Sequence, residues 1–102
     1  MRLEHYPENK IKKEIVAIVS KYLDISQYKI FIFGSRVTGK GNDRSDIDVG
    51  IEGETEIPSN IISKIKEDLD NIRTLYKIDF VDFKKVAPDF REVALQNIEP
   101  IL

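Results

Sequence analysis

Cysteine is missing from this 102-residue chain, so neither a disulfide framework nor a thiolate metal site can be built from it. Histidine occurs once, as His5, and a lone histidine near a terminus is ordinarily a surface residue; no catalytic or ligand role is assigned to it. Long hydrophobic runs are also absent. The longest apolar stretch falls far below the roughly twenty residues that a membrane helix needs. The opening Met1-Arg2-Leu3-Glu4-His5 is too polar for a signal peptide, so a cytoplasmic protein with no membrane contact is expected. Nor does one sign of charge dominate. Sixteen basic and 18 acidic residues leave a formal net charge of −2, which gives no overall attraction for nucleic acid, and no direct nucleic-acid binding is expected.

What remains is an ordinary composition, 41% hydrophobic and 33% charged, without repeats or low-complexity segments. A chain of this size buries roughly two-thirds of its unfolded surface, enough for one core, and residues 1–102 are expected to form one domain. Ile11, Ile15, Ile18, Val19 and Tyr22 recur at helical spacing and predict an amphipathic helix from Pro7 to about Leu23. The aromatic and β-branched run from Tyr28 to Phe33 reads as a buried strand, and Ile47 to Ile51 as a second. A polar loop, residues 52–56, precedes Pro58 and Ser59, which open a helix carrying Ile61, Ile62, Ile65, Leu69 and Ile72. Residues 77–83 form a third strand. From Pro88 to Ile98, the pattern Phe90, Val93, Ala94, Ile98 suggests a short helix whose apolar side serves core or interface.

The chemistry concentrates between the first two strands, in the run from Gly34 to Val49. Side chains two apart on a strand share a face, so Asp46 and Asp48 would stand together while Ile47 and Val49 face the core. Adjacent carboxylates repel, and a hard divalent cation removes that penalty; Mg²⁺ is commonly held by one or two carboxylates plus substrate phosphates. Upstream, Gly34 and Ser35 end the first strand where a missing Cβ lets backbone amides approach a ligand. A short helix beginning at Arg36 to Thr38 would aim unpaired N–H groups at an anion. Lys29, Arg36, Lys40 and Arg44 gather positive charge near this loop and suit a triphosphate better than a duplex. Either piece alone is commonplace, since Asp-x-Asp occurs in turns and Gly-Ser in loops; the order and spacing of the two together are not.

Phe33-Gly34-Ser35, a spacer of about ten residues and Asp46-Ile47-Asp48 resemble the signature of the DNA polymerase β-like nucleotidyltransferases, and Arg36 and Ser45-Asp46-Ile47-Asp48 that of their small prokaryotic members, the minimal nucleotidyltransferases. The resemblance runs along almost the whole chain. It implies an α/β (α+β) fold, a small mixed β-sheet with helices packed on it. It also implies transfer of a nucleoside monophosphate from a triphosphate such as ATP to a hydroxyl, with two Mg²⁺ ions held by Asp46, Asp48 and a third carboxylate. Gly34, Ser35 and Arg36 would bind the nucleotide. For the third carboxylate, Asp79 and Asp82 compete. Asp79 sits in an apolar run where burial is costly without a metal or partner, whereas Asp82, nearer the strand end, reads as a solvated acid; the family pattern favours Asp79.

Larger relatives carry a helical domain for the acceptor that is not seen here, so a partner chain or second copy is expected to complete the site. Minimal nucleotidyltransferases are often encoded beside a helical HEPN-type protein, for which they act as antitoxin, in some cases adenylylating a tyrosine. The competing reading is a nucleotide-binding antitoxin that neutralises its partner by contact without catalysis. Transfer onto a small molecule, as in aminoglycoside-modifying relatives, would need an acceptor domain.

Overall fold

A computed structural model describes residues 7–34, 37 and 46–101. The elements run α1 (Glu8–Ser20), a 3₁₀ turn (Ile25–Gln27), β1 (Lys29–Phe33), β2 (Ile47–Glu52), α2 (Ser59–Asp70), β3 (Ile78–Asp82), α3 (Pro88–Ala94) and β4 (Glu99–Pro100). The strands form one mixed sheet in the order β3-β2-β1-β4. β1 is antiparallel to both β2 and β4, while β2 and β3 are parallel and joined through α2, as a parallel pair requires a crossover. The mixed α/β fold is therefore the one expected.

Each helix forms for a local reason. Pro7 stands at the N-cap of α1 with extended backbone, and its carbonyl accepts from Ile11 N–H at 3.1 Å. Ile11, Ile15, Ile18 and Val19 recur at i, i+4, i+7, i+8 and are all buried against the sheet. Pro58 opens α2 in the same way, and Ile65 and Leu69 are the residues it buries most completely. Tyr22 donates to Asp68 at 2.7 Å and ties the two helices together.

The sheet has two unlike faces. Toward α1 and α2 it presents Ile30, Ile32, Ile47, Val49, Ile51, Ile78 and Phe80, which merge with the helix residues into the principal core. Toward α3 it presents a smaller aromatic cluster of Phe31, Phe33 and Phe83, with Val81, Ala94 and Leu95 against it. Phe83 lies edge-on to both Phe31 and Phe33, with ring centroids 4.9 and 5.0 Å away. Gly50 makes room for those rings: a Cβ there would stand 2.7 Å from Phe31 Cζ and 2.8 Å from Phe83 Cε1. At the far end of this face Arg91 of α3 grips Glu52 with two hydrogen bonds, Nε to Oε2 at 2.6 Å and Nη2 to Oε1 at 2.8 Å.

Two features were not anticipated from sequence. β4 is a two-residue strand ending in proline, and only its pairing with Phe31 and Ile32 makes it a strand. Asp82, expected to be solvated, is 5% exposed. Its carboxylate accepts from Ile57 N–H at 2.8 Å and Lys84 N–H at 3.0 Å, clasping the loop before α2 and the turn after β3, so its burial is compensated by two charge-assisted hydrogen bonds. Among the described residues, no helix is long and apolar enough to cross a membrane.

Candidate active site

The end of β1 and the starts of β2 and β3 meet at one edge of the aromatic face. Asp48 lies opposite Phe33 in the antiparallel pair and opposite Asp79 in the parallel pair. Residues paired across a sheet point to the same side, so the register brings two carboxylates together from strands separated by the whole of α2. Asp46 lies just before β2, exposed, and adds its negative charge to the field at Asp48. Burial pushes the Asp48 carboxyl above the usual carboxylate range, and the charges of Asp79 and then Asp46 push it further in the same direction. Asp79 is 43% exposed and has only a loose ion pair, Lys77 Nζ to Oδ1 at 3.9 Å.

Gly34 closes the other side. Its φ of +81° lies in the left-handed region that favours glycine, and a Cβ on it would overlap the Asp48 carboxylate. Glycine is thus required twice at this position, for the turn and for the close approach of backbone to acid. Val37 N–H donates to the Gly34 carbonyl at 3.1 Å, Val37 is helical, and its side chain packs on the principal core.

Of the residues singled out by sequence, Gly34, Asp46, Asp48 and Asp79 are brought to one place. Ser35, Arg36, Lys40 and Arg44 lie outside the described residues, as does His5. Lys29 does not belong to this group: it begins β1 four residues before Phe33, about 13 Å away at roughly 3.3 Å per residue, and faces Glu52 instead. The burial of the two β3 acids is the reverse of the sequence expectation. Asp79 is half-exposed beside Asp48, while Asp82 is buried on the opposite face.

The donor set is all oxygen and negatively charged, which suits a hard divalent cation. Among the described residues no three His, Cys, Asp or Glu side chains converge as a preformed metal cage. Mg²⁺ does not ask for one, since one or two carboxylates and substrate phosphates satisfy its shell. Beside Asp48, under the C-terminal half of α3, a cleft of about 440 Å³ opens; nothing in the sequence singled it out beyond the apolar pattern of Phe90 and Val93.

The family described as Polymerase beta, Nucleotidyltransferase matches residues 13–102. The chain is 33% identical over 85 residues to the probable protein adenylyltransferase MntA of Haemophilus influenzae, covering 81% of this chain and 75% of that protein. Among solved structures, it resembles one of a tri-AMPylated Shewanella oneidensis HEPN toxin in complex with MNT antitoxin, at TM-score 0.72 and 12% identity, over 94% of this chain and 72% of the other. A crystal structure of a toxin-antitoxin with AMP-PNP matches at TM-score 0.64 and 17% identity, over 89% and 72%. At these identities the structural likeness speaks for the fold.

Proposed function

Because this chain belongs to the polymerase β nucleotidyltransferase family, we propose that it transfers AMP from ATP to a hydroxyl, a tyrosine of a HEPN-type helical partner, and acts as that partner's antitoxin. Its being a nucleotidyltransferase follows from membership. The nucleotide, the metal, the acceptor and the site residues are the reading added here, and the MntA relative and the AMPylated toxin complex support it. The observation that carries it is Asp48 held between Gly34, directly after β1, and Asp79 on β3.

In the reaction the acceptor oxygen forms a bond to the α-phosphorus, the bond from that phosphorus to the β-phosphate bridge breaks, and pyrophosphate leaves with the electron pair. The acceptor's proton is released. Asp46, Asp48 and Asp79 would hold two Mg²⁺ ions, which when bound would neutralise the phosphate charge and that developing on the leaving group. Gly34 keeps a side chain out of the space beside Asp48, so the triphosphate can lie against backbone there; Ser35 and Arg36 follow it directly in sequence and would complete the grip. Asp79, with 43% of its side chain exposed, lies on the β3 side and would face the acceptor hydroxyl and help take its proton. Burial, and after it repulsion from Asp79 and Asp46, raises the Asp48 carboxyl, a cost of the free protein that cation binding would relieve.

The test incubates the purified chain with Mg²⁺ and ATP, alone and with the protein encoded beside it, and follows intact mass. One AMP mass added to the neighbour, abolished in Asp46→Asn and Asp48→Asn, is the expected result. Tight complex formation with no transfer would replace this reading with neutralisation by contact.

A further inference from the structure

The three helices are anchored unequally. α1 buries Ile11, Ile15, Ile18 and Val19, and α2 buries Ile65 and Leu69, whereas α3 buries no residue completely. At seven residues α3 is too short to be stable by itself, and its N-cap, Ala87, offers no side-chain hydrogen bond. Its apolar hold on the aromatic cluster comes from Phe90, Ala94 and Leu95. Yet this helix bounds the working end of the sheet, since Phe90, Val93 and Ala94 line the cleft beside Gly34 and Asp48. A wall carried on so shallow a helix needs a separate device to fix where it stands.

Arg91 supplies one. Its two hydrogen bonds to Glu52, at 2.6 and 2.8 Å, join a planar fork to a planar carboxylate, and such a pair fixes rotation as well as distance, which a single ammonium contact does not. Arg91 lies between Phe90 and Val93 in a helix of 3.6 residues per turn, so holding its direction holds theirs. Glu52, its side chain only 12% exposed, belongs to β2, the strand that carries Asp48. The two acids are four residues apart on the same face, about 13 Å at roughly 3.3 Å per residue. One strand thus sets the wall relative to the acid, from a distance at which neither Glu52 nor Arg91 touches anything bound at Asp48. The Arg91 side chain is 42% exposed, and ion pairs open to water contribute little stability, so orientation is the fork's main effect.

We propose that Arg91 and Glu52 are positioning residues: their fork sets the roll and distance of α3 over the aromatic face, and through them the width of the cleft beside Asp48. The inference rests on the nucleotidyltransferase reading above, in which the triphosphate lies along Gly34 at the rim of this cleft.

The test measures KM for ATP and kcat of AMP transfer from Mg²⁺ and ATP to the protein encoded beside this chain, with circular dichroism on every variant. Arg91→Lys keeps the charge and removes the fork. It should raise KM for ATP about tenfold with kcat within about twofold, because the helix bounds the bound nucleotide and not the reacting atoms. Arg91→Ala should do the same, and the exchanged pair Glu52→Arg/Arg91→Glu should bring KM back to within about threefold of the native value. Ile65→Ala, which loosens the opposite face, should leave KM unchanged; a rise there equal to that of Arg91→Lys would make the effect one of general stability and overturn the inference. Native KM in folded Arg91→Lys overturns it, as does a fall in kcat at constant KM. Should Arg91→Ala or the exchanged pair fail to fold, Arg91→Lys alone decides. Absence of transfer by the native chain overturns the nucleotidyltransferase reading and this inference with it, whereas transfer indifferent to the fork overturns this inference alone.

Discussion

The two faces of the sheet are built from the same strands and do opposite work. On the α1 and α2 side, branched aliphatic residues fill the space between sheet and helices, and nearly every one is fully buried. On the α3 side, alternate positions of the same strands carry Phe31, Phe33, Gly50, Glu52, Asp48 and Asp79, covered by a seven-residue helix that leaves one end open. The first face holds the fold together by close packing. The second keeps one acid, Asp48, whose carboxyl is held above its usual range by burial and by the neighbouring charges of Asp79 and Asp46.

The strongest way to break the comparison is at Asp48. Asp48→Asn should lower adenylyl transfer at least about a hundredfold, the order lost when one group that stabilises transition-state charge is removed, while far-ultraviolet circular dichroism stays native. Transfer that survives in Asp48→Asn would mean the aromatic face is not the working one. On the opposite face, Ile65→Ala should cost about 2–5 kcal/mol of unfolding free energy in urea titration, with ATP affinity unaltered while the protein remains folded.

The two acids of β3 sharpen the contrast within a single strand. Asp82→Ala strips the acceptor from the buried Ile57 N–H and the half-buried Lys84 N–H and should cost about 1–3 kcal/mol without touching nucleotide binding. Asp79→Asn should change stability by less than about 0.5 kcal/mol, as at exposed positions generally, yet abolish transfer. Equal stability effects from the two would erase the distinction.

The smallest effect is in pH dependence, and it has opposite signs at two ends of one face. Asp48 is raised in the folded state, so the folded protein holds its proton more tightly than the unfolded chain; that contribution is present below the unfolded pKa and lost as pH rises through the folded one. In chelator-treated buffer Asp48→Asn should therefore stabilise the protein at neutral pH, and the gain should vanish in acid. Glu52 is lowered, chiefly by its hydrogen bond to Arg91, so its contribution is present above the unfolded pKa and lost as pH falls through the folded one. Glu52→Gln should accordingly destabilise near neutrality and converge with the native protein in acid. Melting curves of both variants between acid and neutral pH check the two signs.

Where local sequence carried the information, the reading was close. The spacing of Ile11, Ile15, Ile18 and Val19 located α1 within a few residues, and Pro58 marked the start of α2, because helix periodicity and proline at a helix entrance are properties of the chain itself. The joining of Gly34 with Asp48 was legible as a motif. β4 was not legible, since two residues ending in proline have no strand propensity and become a strand only by pairing with β1. The partition of Asp79 and Asp82 was misjudged for a related reason: an apolar neighbourhood in sequence does not say whether the space above a strand is filled by a helix or left open.

By itself, then, the sequence determined the order of the elements other than β4 and the 3₁₀ turn, the helical faces and the family, through periodicity and a motif whose spacing is local. Only the tertiary structure decided the parallel register that sets Asp48 beside Asp79, the reach of the Asp82 carboxylate to Ile57 N–H, and the cleft under α3. Each of these joins residues distant in the chain, and contacts of that kind are fixed by how whole elements pack, not by the preferences of any segment within them.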